Sequence, residues 1–211
     1  MRTVILQEFV SLDGLAAGAN GSVDFVPAST RGDKSFAQEQ LALIDSIDTI
    51  LLGRITYEMF AGYWPKVTDG DDQFFAHKLN ATPKIVFSKT LERAPWGTWD
   101  EARVVRSSAG QEIAKLKQQP GRNMVVWGSI SLAQSLINER LIDEYRLMVC
   151  PIVLGRGRPL FRDNLEALEM KLLKVKPYDR GTVQLKYVQD KTRSANNASP
   201  EPQPLHARSK V

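Results

Sequence analysis

Three short stretches place glycine, hydroxyl and basic residues directly after apolar runs. They are Gly53-Arg54-Ile55-Thr56, Ser88-Lys89-Thr90 and Gly128-Ser129-Ile130. The runs before them, Ile50-Leu51-Leu52, Ile85-Val86-Phe87 and Val125-Val126-Trp127, have the length and composition of buried strands. Two of the stretches pass at once into segments with helical spacing. A helix start offers backbone N–H groups without intrahelical partners and the positive end of the helix dipole, so it takes an anion readily. Two such starts, with the guanidinium of Arg54 and the ammonium of Lys89, could hold several phosphate charges. That is the footprint of a dinucleotide, and two fixed cations suit one with an extra phosphate. Each stretch alone also reads as a plain strand-to-helix connector, because glycine serves such turns whatever their function.

Other side chains have two readings each. Asp13, in Ser11-Leu12-Asp13-Gly14, could orient a substrate amine or hydroxyl or supply a proton, or it could simply form an Asp-Gly turn. Tyr57, one turn after Arg54, could face the cleft or pack against the sheet with Met59 and Phe60. Trp127 could stack on a planar ligand or fill the core. Arg156 and Arg158 could extend an anionic site or be solvated loop residues. Two histidines, His77 and His206, and one cysteine, Cys150, cannot assemble a metal cluster with ligand spacing, and nothing near His77 supports a nucleophilic triad. Phosphate-facing strand ends without nucleophile machinery suit a reaction whose hard chemistry belongs to a cofactor, and hydride transfer is one. No GxGxxG follows the first strand, so an ordinary dinucleotide-binding domain is not supported.

The elements that must position these residues alternate. Residues 3–10 predict a strand feeding a loop that runs to about Pro27. The spacing of Phe36, Gln40, Leu43, Ile44 and Ile47 predicts an amphipathic helix over 33–47, and Ile55, Met59 and Tyr63 predict another. Strands are expected at 83–87, 103–106, 123–127 and 144–154. Ser108 and Gln111 form a capping box for a helix closed by Gly121, and Leu132, Leu136 and Ile137 mark a further helix. Strands alternating with helices imply a largely parallel sheet covered on both faces, an α/β fold. Residues 168–188 predict an antiparallel edge hairpin, with a bulge at Leu172-Leu173.

The 211 residues suffice for one domain with a sizeable core. A 43% hydrophobic and 25% charged composition is that of a folded soluble domain. The net charge is +4, but a surplus of two lies beyond residue 188, so the body is almost neutral and a nucleic-acid partner is not expected. No apolar run is long enough for a membrane span, and the first residues, interrupted by Gln7 and Glu8, read as a strand rather than a leader. A lone cysteine fits a reducing, cytoplasmic location.

The succession FVSLDGLAAG, LLGRITYEMFAGYWP, KIVFSKTL, VVWGSISLAQSLINERLIDEYRLMVCPIVLGRGRPLF and GTVQLKY resembles the dihydrofolate reductase-like family that includes the C-terminal reductase domain of riboflavin biosynthesis proteins. The resemblance implies a three-layer α/β/α domain over 1–188, its mixed, mostly parallel sheet ending in an antiparallel hairpin; residues 189–211, rich in Pro, Ser, Asn and Ala without a periodic apolar face, are expected to be a disordered tail. It also implies NADPH as cofactor, a small-molecule substrate and often a homodimer. Gly53, Arg54 and Thr56 match the turn that holds cofactor phosphate in the family. Ser88, Lys89 and Thr90 match the stretch near the adenosine ribose and its 2'-phosphate. Gly128, Ser129 and Ile130 match the turn under the pyrophosphate and nicotinamide, and Ser11, Leu12 and Asp13 match the loop beside nicotinamide and substrate.

The chain also departs from the family. The acid that engages a pterin from the first helix has only Asp33 as a counterpart, near the helix start, and the acid before the glycine turn in riboflavin-pathway reductases is replaced by Trp127. The expected activity is NADPH-dependent reduction of a small heterocyclic or carbonyl-type substrate, in pterin, riboflavin-like or nucleotide metabolism. The alternative is a non-catalytic dinucleotide- or pterin-binding protein of the same fold.

Overall fold

The apolar runs form the centre of an eight-stranded sheet in a computed structural model that describes residues 1–163 and 165–190. In chain order the elements are β1 (Val4–Val10), β2 (Leu15–Gly18), α1 (Phe25–Thr30), α2 (Lys34–Ser46), β3 (Ile47–Gly53), α3 (Arg54–Tyr63), α4 (Gln73–Ala81), β4 (Lys84–Phe87) and β5 (Arg103–Val105). They continue with α5 (Ala109–Gln118), β6 (Asn123–Trp127), α6 (Ile130–Asn138), β7 (Glu144–Val149), β8 (Gly157–Pro159), β9 (Met170–Pro177) and β10 (Val183–Gln189). The sheet order is β5-β4-β3-β6-β1-β7-β10-β9. The first six of these strands run parallel, and β10 lies antiparallel to both β7 and β9.

Continuous apolar strands need cover on both faces, and two separate clusters provide it. On one face Ile5, Ile50, Leu52, Val86 and Val125 pack with Leu43 and Ile44 of α2, Tyr57 of α3 and Leu79 of α4. On the other, Val4, Leu6, Leu51, Met124 and Val126 pack with Ile113 and Leu116 of α5 and Leu132, Ala133 and Leu136 of α6. The result is three layers. Asp33 caps α2 by accepting from Phe36 N–H at 2.9 Å, and Ser108 caps α5 by accepting from Gln111 N–H at 3.5 Å.

Four features differ from expectation. The loop after β1 contains β2, which pairs antiparallel with β8, and the short helix α1; both are too brief to show a period. The strand expected over 144–154 stops at Val149, just before Cys150-Pro151, because proline has no N–H for a ladder. The helix anchored on Ile55, Met59 and Tyr63 is present, but those three side chains are exposed while Thr56 and Tyr57 face inward. The tail boundary also shifts, since β10 includes Gln189 and Asp190 N–H still bonds Glu169 O at 2.8 Å. The rest of the expected tail, 191–211, lies outside the described residues. The hairpin bulge falls where predicted: Lys174 opposes Lys186 and Leu172 opposes Tyr187, leaving Leu173 as the extra residue.

Candidate functional site

The parallel register brings two of the sequence-predicted turns to one level. Gly53 pairs with Phe87 and Leu51 with Val126, so β3, β4 and β6 all end together. Gly53 N–H donates to Ser129 Oγ at 2.8 Å, Ser129 N–H donates to Thr56 Oγ1 at 2.9 Å, and Ser129 Oγ donates to Trp127 O at 3.1 Å. Gly128 and Ser129 are both left-handed, with φ of 53° and 59°. A Cβ on Gly128 would come within 3.3 Å of the Thr56 methyl and hydroxyl, so this close approach requires glycine. For Ser129 the conformation costs about 1–3 kcal/mol, offset by its hydrogen bonds to α3 and β3. The starts of α3 and α6 are therefore interlocked. From this point α3 departs over one face and α6 over the other, the kind of place where open parallel sheets take ligands.

The basic groups sit around this pair of helix starts. Arg54 is the first residue of α3, where its charge opposes the helix dipole; its half-exposed guanidinium turns along the helix to Glu58 at 2.7 Å. An exposed pair of this kind contributes about 0–1 kcal/mol, so a phosphate can displace it. Arg158 reaches the first turn of α6, donating to Ser131 Oγ at 2.9 Å. Ser88 Oγ accepts from Thr90 N–H at 3.3 Å and Leu91 N–H at 3.0 Å, which closes its own turn and leaves Lys89 and Thr90 exposed. Ile130, the first residue of α6, packs against the core beneath the turn.

Asp13 has a different environment. Its carboxylate accepts from Leu154 N–H at 3.1 Å and Gly155 N–H at 2.8 Å. A hydrogen bond from Ser11, then those two amides, hold its carboxyl down at about 2. The two backbone bonds clasp the first loop to the 154–155 loop. Ser11 supports that loop, its Oγ accepting from Leu15 N–H at 3.0 Å. Leu12 N–H bonds Ile152 O at 2.8 Å while the Leu12 side chain is exposed. Tyr57 is buried, its hydroxyl donating to Pro95 O at 2.7 Å and its ring beside Trp96, so of its two readings the structure gives packing. Asp33 is fully engaged, accepting from Phe36 N–H and, at 2.7 Å, from Asp179 N–H. Trp127 is 5% exposed and packs on Phe75, yet its Nε1–H has no acceptor.

Four further residues were not singled out from the sequence. Gln7 of β1 is the register partner of Trp127, and its Nε2 donates to Gln40 Oε1 of α2 at 2.7 Å. Tyr178 is buried with an unpartnered hydroxyl. Glu8 points to the α6 face, one residue beyond the Gln7–Trp127 pair and so level with Gly128. It is 5% exposed, one oxygen accepts from Phe9 N–H at 3.2 Å, and the other has no partner. Burial pushes its carboxyl up to about 8. The available signal was the pair Gln7-Glu8 itself, two polar residues inside a strand buried on both faces. Among the described residues no group of three or more His, Cys, Asp or Glu side chains is placed to hold a metal.

The three layers and the mostly parallel sheet place the chain in the dihydrofolate reductase-like fold class. Within that class the chain belongs to the RibD C-terminal domain family, whose model matches residues 2–184. It is 34% identical over 187 residues to the uncharacterized protein YyaP of Bacillus subtilis, covering 88% of this chain and 94% of that one. A solved structure from Shewanella sp. PV-4, of a protein assigned to riboflavin biosynthesis, is 26% identical with a TM-score of 0.71, covering 90% and 99% of the two chains. Dihydrofolate reductase of Enterococcus faecalis, solved with NADP(H) and RAB-propyl, is 13% identical with a TM-score of 0.58 over 89% of this chain and 96% of that one. At that identity the likeness speaks for the fold alone.

Proposed function

We propose that the protein is an NADPH-dependent reductase of a small heterocyclic or carbonyl-type substrate, in riboflavin-, pterin- or nucleotide-type metabolism. The observation that carries this is the interlocked pair of helix starts, Gly53 and Thr56 against Gly128 and Ser129, with Arg54, Lys89 and Arg158 around them. The fit to a phosphorylated dinucleotide is physical. The cation at the start of α3 is unfavourable to the helix dipole until an anion joins it, and Lys89 has no ion pair among the described residues. The Enterococcus faecalis enzyme, which shares the fold, was solved with NADP(H). When bound, the nicotinamide supplies the hydride. The chain's own work is to hold the phosphates with Arg54, Lys89 and the N-termini of α3 and α6, and to keep this end of the sheet shaped through the Ser129 bonds and the Asp13 clasp.

The reading predicts that NADPH binds at least tenfold more tightly than NADH by fluorescence titration, and that Arg54→Ala and Lys89→Ala each erase most of that preference. Equal binding of the two dinucleotides in the wild type would refute the 2'-phosphate assignment. A second reading, a binding protein without turnover, draws support from Asp13, which is ionised at neutral pH. NADPH binding with no oxidation across pteridines, pyrimidines, quinones and aldehydes would favour it. A homodimer and a cytoplasmic location belong to the same proposal. The first is supported by the exposed apolar side chains of α3 and β9, the second by a single, buried cysteine.

A further inference from the structure

The N-terminal end of the sheet, opposite the glycine turns, has a cavity of its own. It measures about 500 Å³ and lies between the α4–β4 turn, the start of β5 and the end of α5, with Lys84, Asp100, Arg103, Glu112 and Gln119 in its wall. Asp100, Arg103 and Gln119 are exposed, so the cavity opens to solvent. Lys84, the first residue of β4, is 5% exposed and brings a buried amine to this wall.

The partners of that amine are those of a free base. Nζ donates to Asn80 O at 2.7 Å and to Thr82 O at 2.6 Å, and a neutral amine has two N–H groups to give. The third N–H of an ammonium has no oxygen acceptor among the described residues. Burial disfavours the cation and brings the group down to about 7, against the charge of Asp100. The Trp96 ring, its centre 4.4 Å from Nζ, attracts the cation that remains. No carboxylate pairs with Lys84 among the described residues. Glu101 is committed to Arg93 at 2.7 Å, Glu112 to Arg103 at 2.6 Å, and Asp100 acts from beyond ion-pair reach. A lysine of this kind beside an open cavity is a nucleophile.

The wall also selects what the amine can take. Arg2, at the cavity's inner edge, is held by Asp48 and Thr49, and Arg103 by Glu112. With the arginines paired, the charge left over beside the amine is that of Asp100 and of the carbonyl end of α4. Both repel an anion. A carbonyl compound bearing a carboxylate or phosphate is therefore disfavoured, and so is the carbamate anion that carbon dioxide would form.

We propose that Lys84 is a covalent binding site for small uncharged aldehydes, which it holds as an imine in this second cavity. Nζ adds to the carbonyl carbon, and the carbonyl oxygen leaves as water with the two amine hydrogens, so that a C=N bond replaces C=O without oxidant or reductant. Asn80 O and Thr82 O lose their donors in that step, and water replaces them, since Ala81 and Pro83 beside them are exposed. The proposal is independent of the reductase reading, whose groups lie at the other end of the sheet.

The test treats the full chain at pH 7 with glycolaldehyde or with glyoxylate, two-carbon aldehydes without and with a negative charge. Sodium cyanoborohydride is present to reduce the imine to a stable secondary amine, and the adducts are located by peptide mass spectrometry. An ordinary lysine is about one part in 2,500 amine at that pH. Glycolaldehyde should therefore label Lys84 at least tenfold faster than the exposed lysines, an advantage that disappears by pH 10, and glyoxylate should show at least fivefold less selectivity for Lys84. Lys84→Arg, which keeps donors for the two carbonyls, should lose the fast adduct from the intact mass. Saturating NADP+ should leave the labelling of Lys84 unchanged. Lys84 labelled no faster than the exposed lysines would overturn the proposal and leave the amine as a cap on α4, a result the wild type gives without any variant. Equal selectivity with glyoxylate, a fast adduct that persists in Lys84→Arg, or protection of Lys84 by NADP+ would each overturn it as well.

Discussion

At the scale of single residues, the glycine and hydroxyl positions of the turns were legible from type and spacing, and their pairing was not. Ser129 and Thr56 bond across 73 residues of chain, a contact set by strand order rather than by anything local. Glu8 escaped notice for a related reason: a lone acid in a strand reads as a solvated edge until both faces are known to be covered. Its carboxyl, raised from 4.5 to about 8, sets a pH dependence of stability. Between those values the folded chain keeps a proton that the unfolded chain has lost. Its contribution is therefore complete below about pH 4.5 and is lost as pH rises through about 8. Glu8→Gln removes the titration, so urea unfolding of the variant should show a flatter stability profile between pH 5 and 8 than the wild type. Parallel profiles would mean that Glu8 is ionised in the folded protein.

At the scale of elements, helix and strand periods located the sheet and its covering helices, because runs such as Ile50-Leu51-Leu52 and Val125-Val126-Trp127 have only one comfortable place. The faces of those elements were less legible. In α3 the apolar triad Ile55, Met59 and Tyr63 looks like an inner stripe and lies outside, while Thr56 turns inward to bond Ser129. The loops carrying Asp13, β2 and β8 were not legible, since their pairing joins segments 139 to 144 residues apart. That clasp is testable on its own. The depressed carboxyl keeps Asp13 charged above about pH 2, so its two backbone bonds persist throughout the neutral range. Asp13→Ala should speed amide hydrogen exchange at Leu154 and Gly155 by tenfold or more, with little change at the core strands. Unchanged exchange at those two amides would remove the clasp from the account.

At the scale of the whole molecule, composition and alternation gave the α/β class, and the family resemblance supplied the layers. The order of strands and the meeting of the β3 and β6 turns depend on which crossover goes which way, which no local pattern encodes. The proposed homodimer would cover exposed apolar residues such as Leu172, Leu173 and Val175 on edge strand β9. Light scattering should give a mass of about twice 23.6 kDa, and Leu173→Lys should shift it toward one chain. A single-chain mass for the wild type at tens of micromolar would rule the dimer out. The central claim, that the interlocked helix starts hold a phosphorylated dinucleotide, is tested most directly by the melting temperature of the intact chain titrated with NADPH and, separately, with NADH. The account predicts a rise with the logarithm of NADPH concentration and a clearly smaller one with NADH, since a ligand that binds only the folded state stabilises it by mass action. A melting temperature that neither dinucleotide moves would contradict it.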